Sequence, residues 1–136
     1  MNSAINLAAG VLIVGVSAVA LHRAPVQVPA CHARADLAGP CFNTHGALRY
    51  YNGYPIVRIW RIGTTRVLGV PGLGETGEPA DSSVCPLPAR LADTLNAGKE
   101  VIADFRVCPL DTQRPNTMQT VCVDSAWNIR AKPYHF

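Results

Sequence analysis

Charge is scarce in this chain and lysine scarcer still: 15% of its 136 residues are charged, nine are acidic, and Lys99 and Lys132 are the only lysines beside ten arginines. Asp81, Asp93, Asp104, Asp111 and Asp124 are scattered, so no carboxylate pair suits acid/base work. His22, His32, His45 and His135 lack metal-ligand spacing, and no cysteine sits in a C-x-x-C pair, which argues against a zinc ribbon or a thioredoxin-type redox site. Cys31-His32 would end a haem-attachment motif, but position 28 is Val28. No serine lies in G-x-S-x-G, and the glycine-rich stretch Gly69 to Gly74 precedes a loop rather than a phosphate-binding helix. The sequence therefore reads as a non-enzyme with no cofactor and no metal. A formal charge of +3 without a dense basic tract makes nucleic acid an unexpected partner.

What the chain does have begins at its start. Ala4 to Leu21 carries no charge and is broken only by Asn6 and Ser17. Its 18 residues would span roughly 27 Å as a helix, about the hydrocarbon thickness of a bilayer. Residues 1–22 are read as a secretory signal or an uncleaved membrane anchor. Ala18-Val19-Ala20 suits cleavage, whereas the absence of Lys or Arg before the run does not. Positive-inside bias alone would keep the downstream domain in the cytoplasm. Five cysteines (Cys31, Cys41, Cys85, Cys108, Cys122) argue instead for an oxidising compartment. The expected location is the periplasmic side of the cytoplasmic membrane, or outside the cell if the signal is cleaved.

Residues 23–40 hold three prolines and no apolar periodicity, and read as a Pro-rich tether. From 41 to 131 the pattern is that of one small β-domain, followed by a tail over 132–136. Leu48-Arg49-Tyr50-Tyr51, then Asn52-Gly53, then Ile56 to Ile62 predicts a hairpin with a two-residue turn, and Arg66 to Val70 a third strand. A long Gly/Pro loop over 71–86 leads to a short helix over 87–98, with Leu87, Leu91 and Leu95 four residues apart and Gly98 as its stop. Glu100 to Cys108 and Met118 to Arg130 supply two more strands. Three strands, a helix and two strands is the order of a five-stranded, OB-like Greek-key barrel, with another small barrel or sandwich as the alternative.

The predicted turn sets a register in which Tyr51 faces Tyr54, Leu48 faces Val57 and His45 faces Trp60. Gly46, Leu48, Val57 and Ile59 then form a core face, and His45, Arg49, Arg58 and Trp60 an outer one. That outer face reads either as a recognition surface, with Tyr51 and Tyr54 as further anchors at the hairpin tip, or as a solvated face whose arginine stems cover Trp60. A Cys108–Cys122 bridge across the last hairpin is expected, with Cys41–Cys85 by elimination and Cys31 left over.

The run Cys41-Phe42-Asn43-Thr44-His45-Gly46-Ala47-Leu48-Arg49-Tyr50-Tyr51-Asn52-Gly53, together with Asp104-Phe105-Arg106-Val107-Cys108-Pro109 and Val121-Cys122-Val123, resembles small exported bacterial proteins for which no activity is known. That resemblance spans about residues 41–127. It implies a location outside the cytoplasmic membrane and brings no catalytic residue. The expectation is an accessory or docking domain, held to the membrane through residues 4–21 and bound to a protein partner. The alternative is an oligosaccharide- or polyanion-binding module that uses the Trp60/Arg58 face.

Overall fold

The computed structural model describes residues 29–72, 85–95 and 99–134. The predicted apolar helix over 4–21, the centre of the 71–86 loop, the Gly98 stop and the last two residues of the tail lie outside these. Five strands and one helix follow a 3-10 turn over Cys31–Ala33: β1 (Phe42–Tyr50), β2 (Val57–Arg61), β3 (Val67–Val70), α1 (Ala89–Thr94), β4 (Lys99–Pro109) and β5 (Gln119–Pro133). Strands pair in the order β1-β2-β3-β5-β4, and β4 returns to β1, so the sheet closes on itself as a barrel. Closure runs through a short parallel contact, Leu68↔Gln119 and Gly69↔Thr120, while every other pairing is antiparallel.

Period-2 alternation builds the core. Leu48, Ile59, Leu68, Val101, Phe105, Val107 and Val121 point inward from all five strands and are fully buried. Gly46 makes room for them, since a Cβ there would stand 2.5 Å from the Ile59 side chain and 2.9 Å from the Trp60 carbonyl. The predicted four-residue stripe in and beside α1 packs as expected: Leu91 and, just past the helix, Leu95 are buried in the core, and Leu87, before it, lies against the core. The helix itself is shorter than the predicted 87–98, beginning after Pro88 at Ala89.

The β1–β2 turn differs from the prediction. Leu48 faces Ile59, Ala47 faces Trp60 and Tyr50 faces Val57, so the register is displaced by two residues from one with Asn52-Gly53 as the entire turn. The connection is a six-residue loop closed by Tyr51 N–H donating to the Ile56 carbonyl at 2.7 Å. Pro55 has no N–H to give a ladder, and Gly53 alone in the loop takes positive φ, at 82°. A slip of two preserves parity, so each side chain keeps its predicted face.

The disulfides also correct the prediction. Cys31 is bonded to Cys122 and Cys41 to Cys108, and the buried Cys85 lies outside both bridges. Cys108 does sit opposite Cys122 across β4–β5, as expected. On its other side β1 delivers Cys41, one step beyond the Phe42↔Val107 pair, with a Cα–Cα distance of 4.0 Å. Cys122 is left for Cys31, which fastens the middle of the 23–40 segment read as a tether to the barrel wall. Ala38 N–H reinforces this by donating to the Pro109 carbonyl at 2.9 Å.

Candidate functional site

The outer surface of β2, β1, β4 and β5 carries three cross-strand rows of polar and aromatic side chains. In the first, His45 faces Asp104 and Asp104 faces Trp127. In the second, Ala47 lies between Trp60 and Ile102, and Arg130 follows Ile102. In the third, Arg58 faces Arg49, which is paired with Glu100 at 3.6 Å, and Glu100 faces Lys132. Residues two apart on a strand share a face, so the rows lie side by side on the outer wall, which curves around the closed barrel from β2 to β5.

Apart from Arg130, whose charge lies near Asp104 without a hydrogen bond or ion pair among the described residues, the charged groups of these rows have partners within the fold. The Asp104 carboxylate accepts from Asn128 Nδ2 at 2.7 Å and from His45 Nδ1 at 2.7 Å. These two hydrogen bonds, with Arg130 nearby, hold Asp104 below the ordinary carboxyl value. Glu100 is buried between Arg49 and the Lys132 ammonium, the latter at 3.0 Å. Arg58 donates to the carbonyls of Pro55 at 2.9 Å and Asn52 at 3.1 Å, so it clamps the β1–β2 loop rather than facing solvent. Arg49 is stacked on Tyr51 and Tyr134, with ring centroids at 4.7 and 4.2 Å. Arg58 stacks on the same Tyr51 at 5.0 Å.

Against this paired background two indoles stand out, Trp60 at 39% exposed and Trp127 at 41%. Trp60 Nε1 donates to the Thr64 carbonyl at 2.8 Å, which fixes the ring as an apolar plate with its polar atom already satisfied. Beside the first row, Asp124 accepts from His32 Nδ1 at 2.7 Å and lies 3.7 Å from Arg106. Burial pushes the Asp124 carboxyl up, but the His32 hydrogen bonds outweigh it and leave the group below its ordinary value.

Of the six residues singled out in the sequence, His45, Arg49, Arg58 and Trp60 share this surface. Tyr51 is taken up between two guanidinium groups, and Tyr54 projects from the β1–β2 loop at 59% exposed. Missed were Trp127, Asp104, Asn128 and Glu100, all from β4 and β5. Strict alternation from the buried Val121 and Val123 puts Trp127 in the core. A register shift between Arg106 and Val107 leaves Asp124 as an extra residue and reverses the alternation beyond it. Ala126 then packs inward and Trp127 turns out.

The Cys85 thiol is pushed up by burial, opposed by the Arg34 guanidinium, whose Nη1 lies 3.6 Å from Sγ. Among the described residues no group of three or more His, Cys, Asp or Glu is placed to hold a metal ion, and no helix is long and apolar enough to cross a membrane. Compared with known proteins, the chain matches no family model, no curated protein and no solved structure.

Proposed function

We propose that this chain is a non-catalytic, exported and membrane-tethered domain of OB-like Greek-key architecture, docking on a protein partner as an accessory subunit of a membrane-associated assembly. The OB-like reading is supported by the strand order 1-2-3-5-4, the parallel β3–β5 contact and a helix between β3 and β4. Two disulfides support an oxidising compartment.

The observation that carries the docking role is the exposure of both tryptophans, Trp60 on β2 and Trp127 on β5, on an outer wall where Asp104, Glu100, Arg49 and Arg58 are already engaged. Tryptophan, tyrosine and arginine dominate binding energy at protein interfaces, and unpaired charge is what a desolvated interface core avoids. Arg49 and Arg58, the cations beside Trp60 and the β1–β2 loop, are engaged by Glu100, by loop carbonyls and by tyrosine rings, which leaves Arg130 as the unpaired cation of the three rows among the described residues. That weighs against the polyanion reading.

The test is size-exclusion of the full chain extracted gently from its native membranes. Wild type should travel with other subunits. The W60A/W127A variant should run alone with an unchanged circular-dichroism spectrum, because truncating an interface hot spot costs roughly 2 kcal/mol or more. A variant that stays in the assembly overturns the docking role. If it stays but no longer retains oligosaccharides that wild type binds, the face is a glycan platform instead.

A further inference from the structure

A second site lies outside that face. Between the β2–β3 connection and the β4–β5 loop is a cleft of about 350 Å³, lined by Arg66 and Arg114 together with Thr65, Asn116, Thr117 and Met118. Val67 completes the lining, so the cleft contains two guanidinium groups and no carboxylate.

Five of the described arginines are matched to acceptors: Arg34 meets Asp36 at 2.6 Å, Arg49 meets Glu100, Arg58 meets loop carbonyls, Arg61 meets Thr44 and Arg106 meets Asp124. Arg66, Arg90, Arg114 and Arg130 have neither an ion pair nor a side-chain hydrogen bond among the described residues, and of these four Arg66 and Arg114 line one cleft together. Two like charges lining one cleft are favoured by an anion placed between them.

We infer that this cleft binds a phosphate-class oxyanion, held by the Arg66 and Arg114 forks with Thr65 and Asn116 as further donors. A planar monocarboxylate fills one guanidinium fork, whereas a tetrahedral, multiply charged phosphate offers oxygen edges to both. The volume is near the lower end of the roughly 300–1,000 Å³ typical of ligand sites, which suits a single phosphate or diphosphate group rather than a polymer backbone. The phosphate belongs either to a soluble small molecule or to a lipid headgroup. Trp60 faces Val67 of the lining, and its indole N–H is bonded to Thr64, next to Thr65, so its emission reports on the cleft.

The test uses the full chain in phosphatidylcholine nanodiscs, carrying W127F so that Trp60 is the only indole. Inorganic pyrophosphate is titrated at constant ionic strength, and a second set of discs includes phosphatidic acid. A saturable shift of Trp60 emission with pyrophosphate, weakened roughly 10- to 100-fold in R66Q/R114Q and unchanged in R90Q, supports the site and a soluble ligand, that factor being the worth of a charge-assisted hydrogen bond. A shift only in phosphatidic acid discs, again lost in R66Q/R114Q, supports the site and a headgroup ligand. No shift in either arm, or one that survives in R66Q/R114Q, overturns the inference. The docking role on the Trp60/Trp127 face stands or falls separately, through its own variants.

Discussion

The two disulfides are nested, and nesting makes their contributions to stability interdependent in a calculable way. Cys31–Cys122 spans a separation of 91 residues and Cys41–Cys108 one of 67. Taken singly, loop-closure entropy assigns them about 4.6 and about 4.4 kcal/mol. With Cys41–Cys108 in place, however, the chain from Cys31 to Cys122 need not run through the inner loop. It needs only the ten residues to Cys41 and the fourteen beyond Cys108. A closed path of about 25 residues is worth about 3.5 kcal/mol, so C31A/C122A should lose that much. C41A/C108A in the wild-type background should lose about 3 kcal/mol, because the remaining bridge already holds its ends close by the shorter route. In the C31A/C122A background the same pair of substitutions should lose about 4.4 kcal/mol, a coupling of about 1 kcal/mol in a double-mutant cycle. Urea unfolding of the four proteins gives each difference, with the slope rising as bridges are removed. Losses that add without coupling, or a C31A/C122A loss below about 1 kcal/mol, would refute the reasoning, the second because loop-closure entropy assigns a loop of that size about 3.5 kcal/mol.

Two further predictions rest on single positions. Gly46→Ala drives a methyl group into the Ile59 side chain and the Trp60 carbonyl, and the carbonyl belongs to a paired strand that cannot retreat. A cost of about 1–3 kcal/mol is expected, read as a fall of roughly 5–20 °C in Tm, and an unchanged Tm would contradict the packing described. Asp104 and Asp124 are both held below the ordinary carboxyl value of 3.8 in the folded chain. Their stabilisation is therefore fully present above that value and is lost as pH falls through it and on through the lower folded values. Asp104→Asn should flatten the acid limb of the urea midpoint against pH, and a variant curve parallel to wild type would remove Asp104 from the account.

How much of this was legible in the sequence depended on what each feature needs. Side-chain faces in β1 and β2 need only parity, so they survived a turn misread by two residues. The leucine stripe over 87–95 needs only local spacing. Disulfide partners need the closed sheet, because Cys108 is flanked by Cys41 on one strand and Cys122 on the other, and no spacing says which is taken. Trp127 was hidden by the extra residue at Asp124, which nothing in the run MQTVCVDSAWNIR announces. The outer face was accordingly half visible: its β1–β2 side was named in advance, and its β4–β5 side emerged with the pairing.

The bond from Cys31 to Cys122 has a mechanical meaning as well. Tension applied at residue 29 enters β5 directly through the sulfurs and bypasses β1 to β4. Held between residues 29 and 134, the oxidised chain has only the stretches 29–31 and 122–134 to release, about 50 Å at full extension. The reduced chain between the same points could reach roughly 370 Å. A domain hung from its N-terminal side would therefore behave under load as a rigid bead on a short leash, passing force on to whatever its outer face grips instead of unravelling.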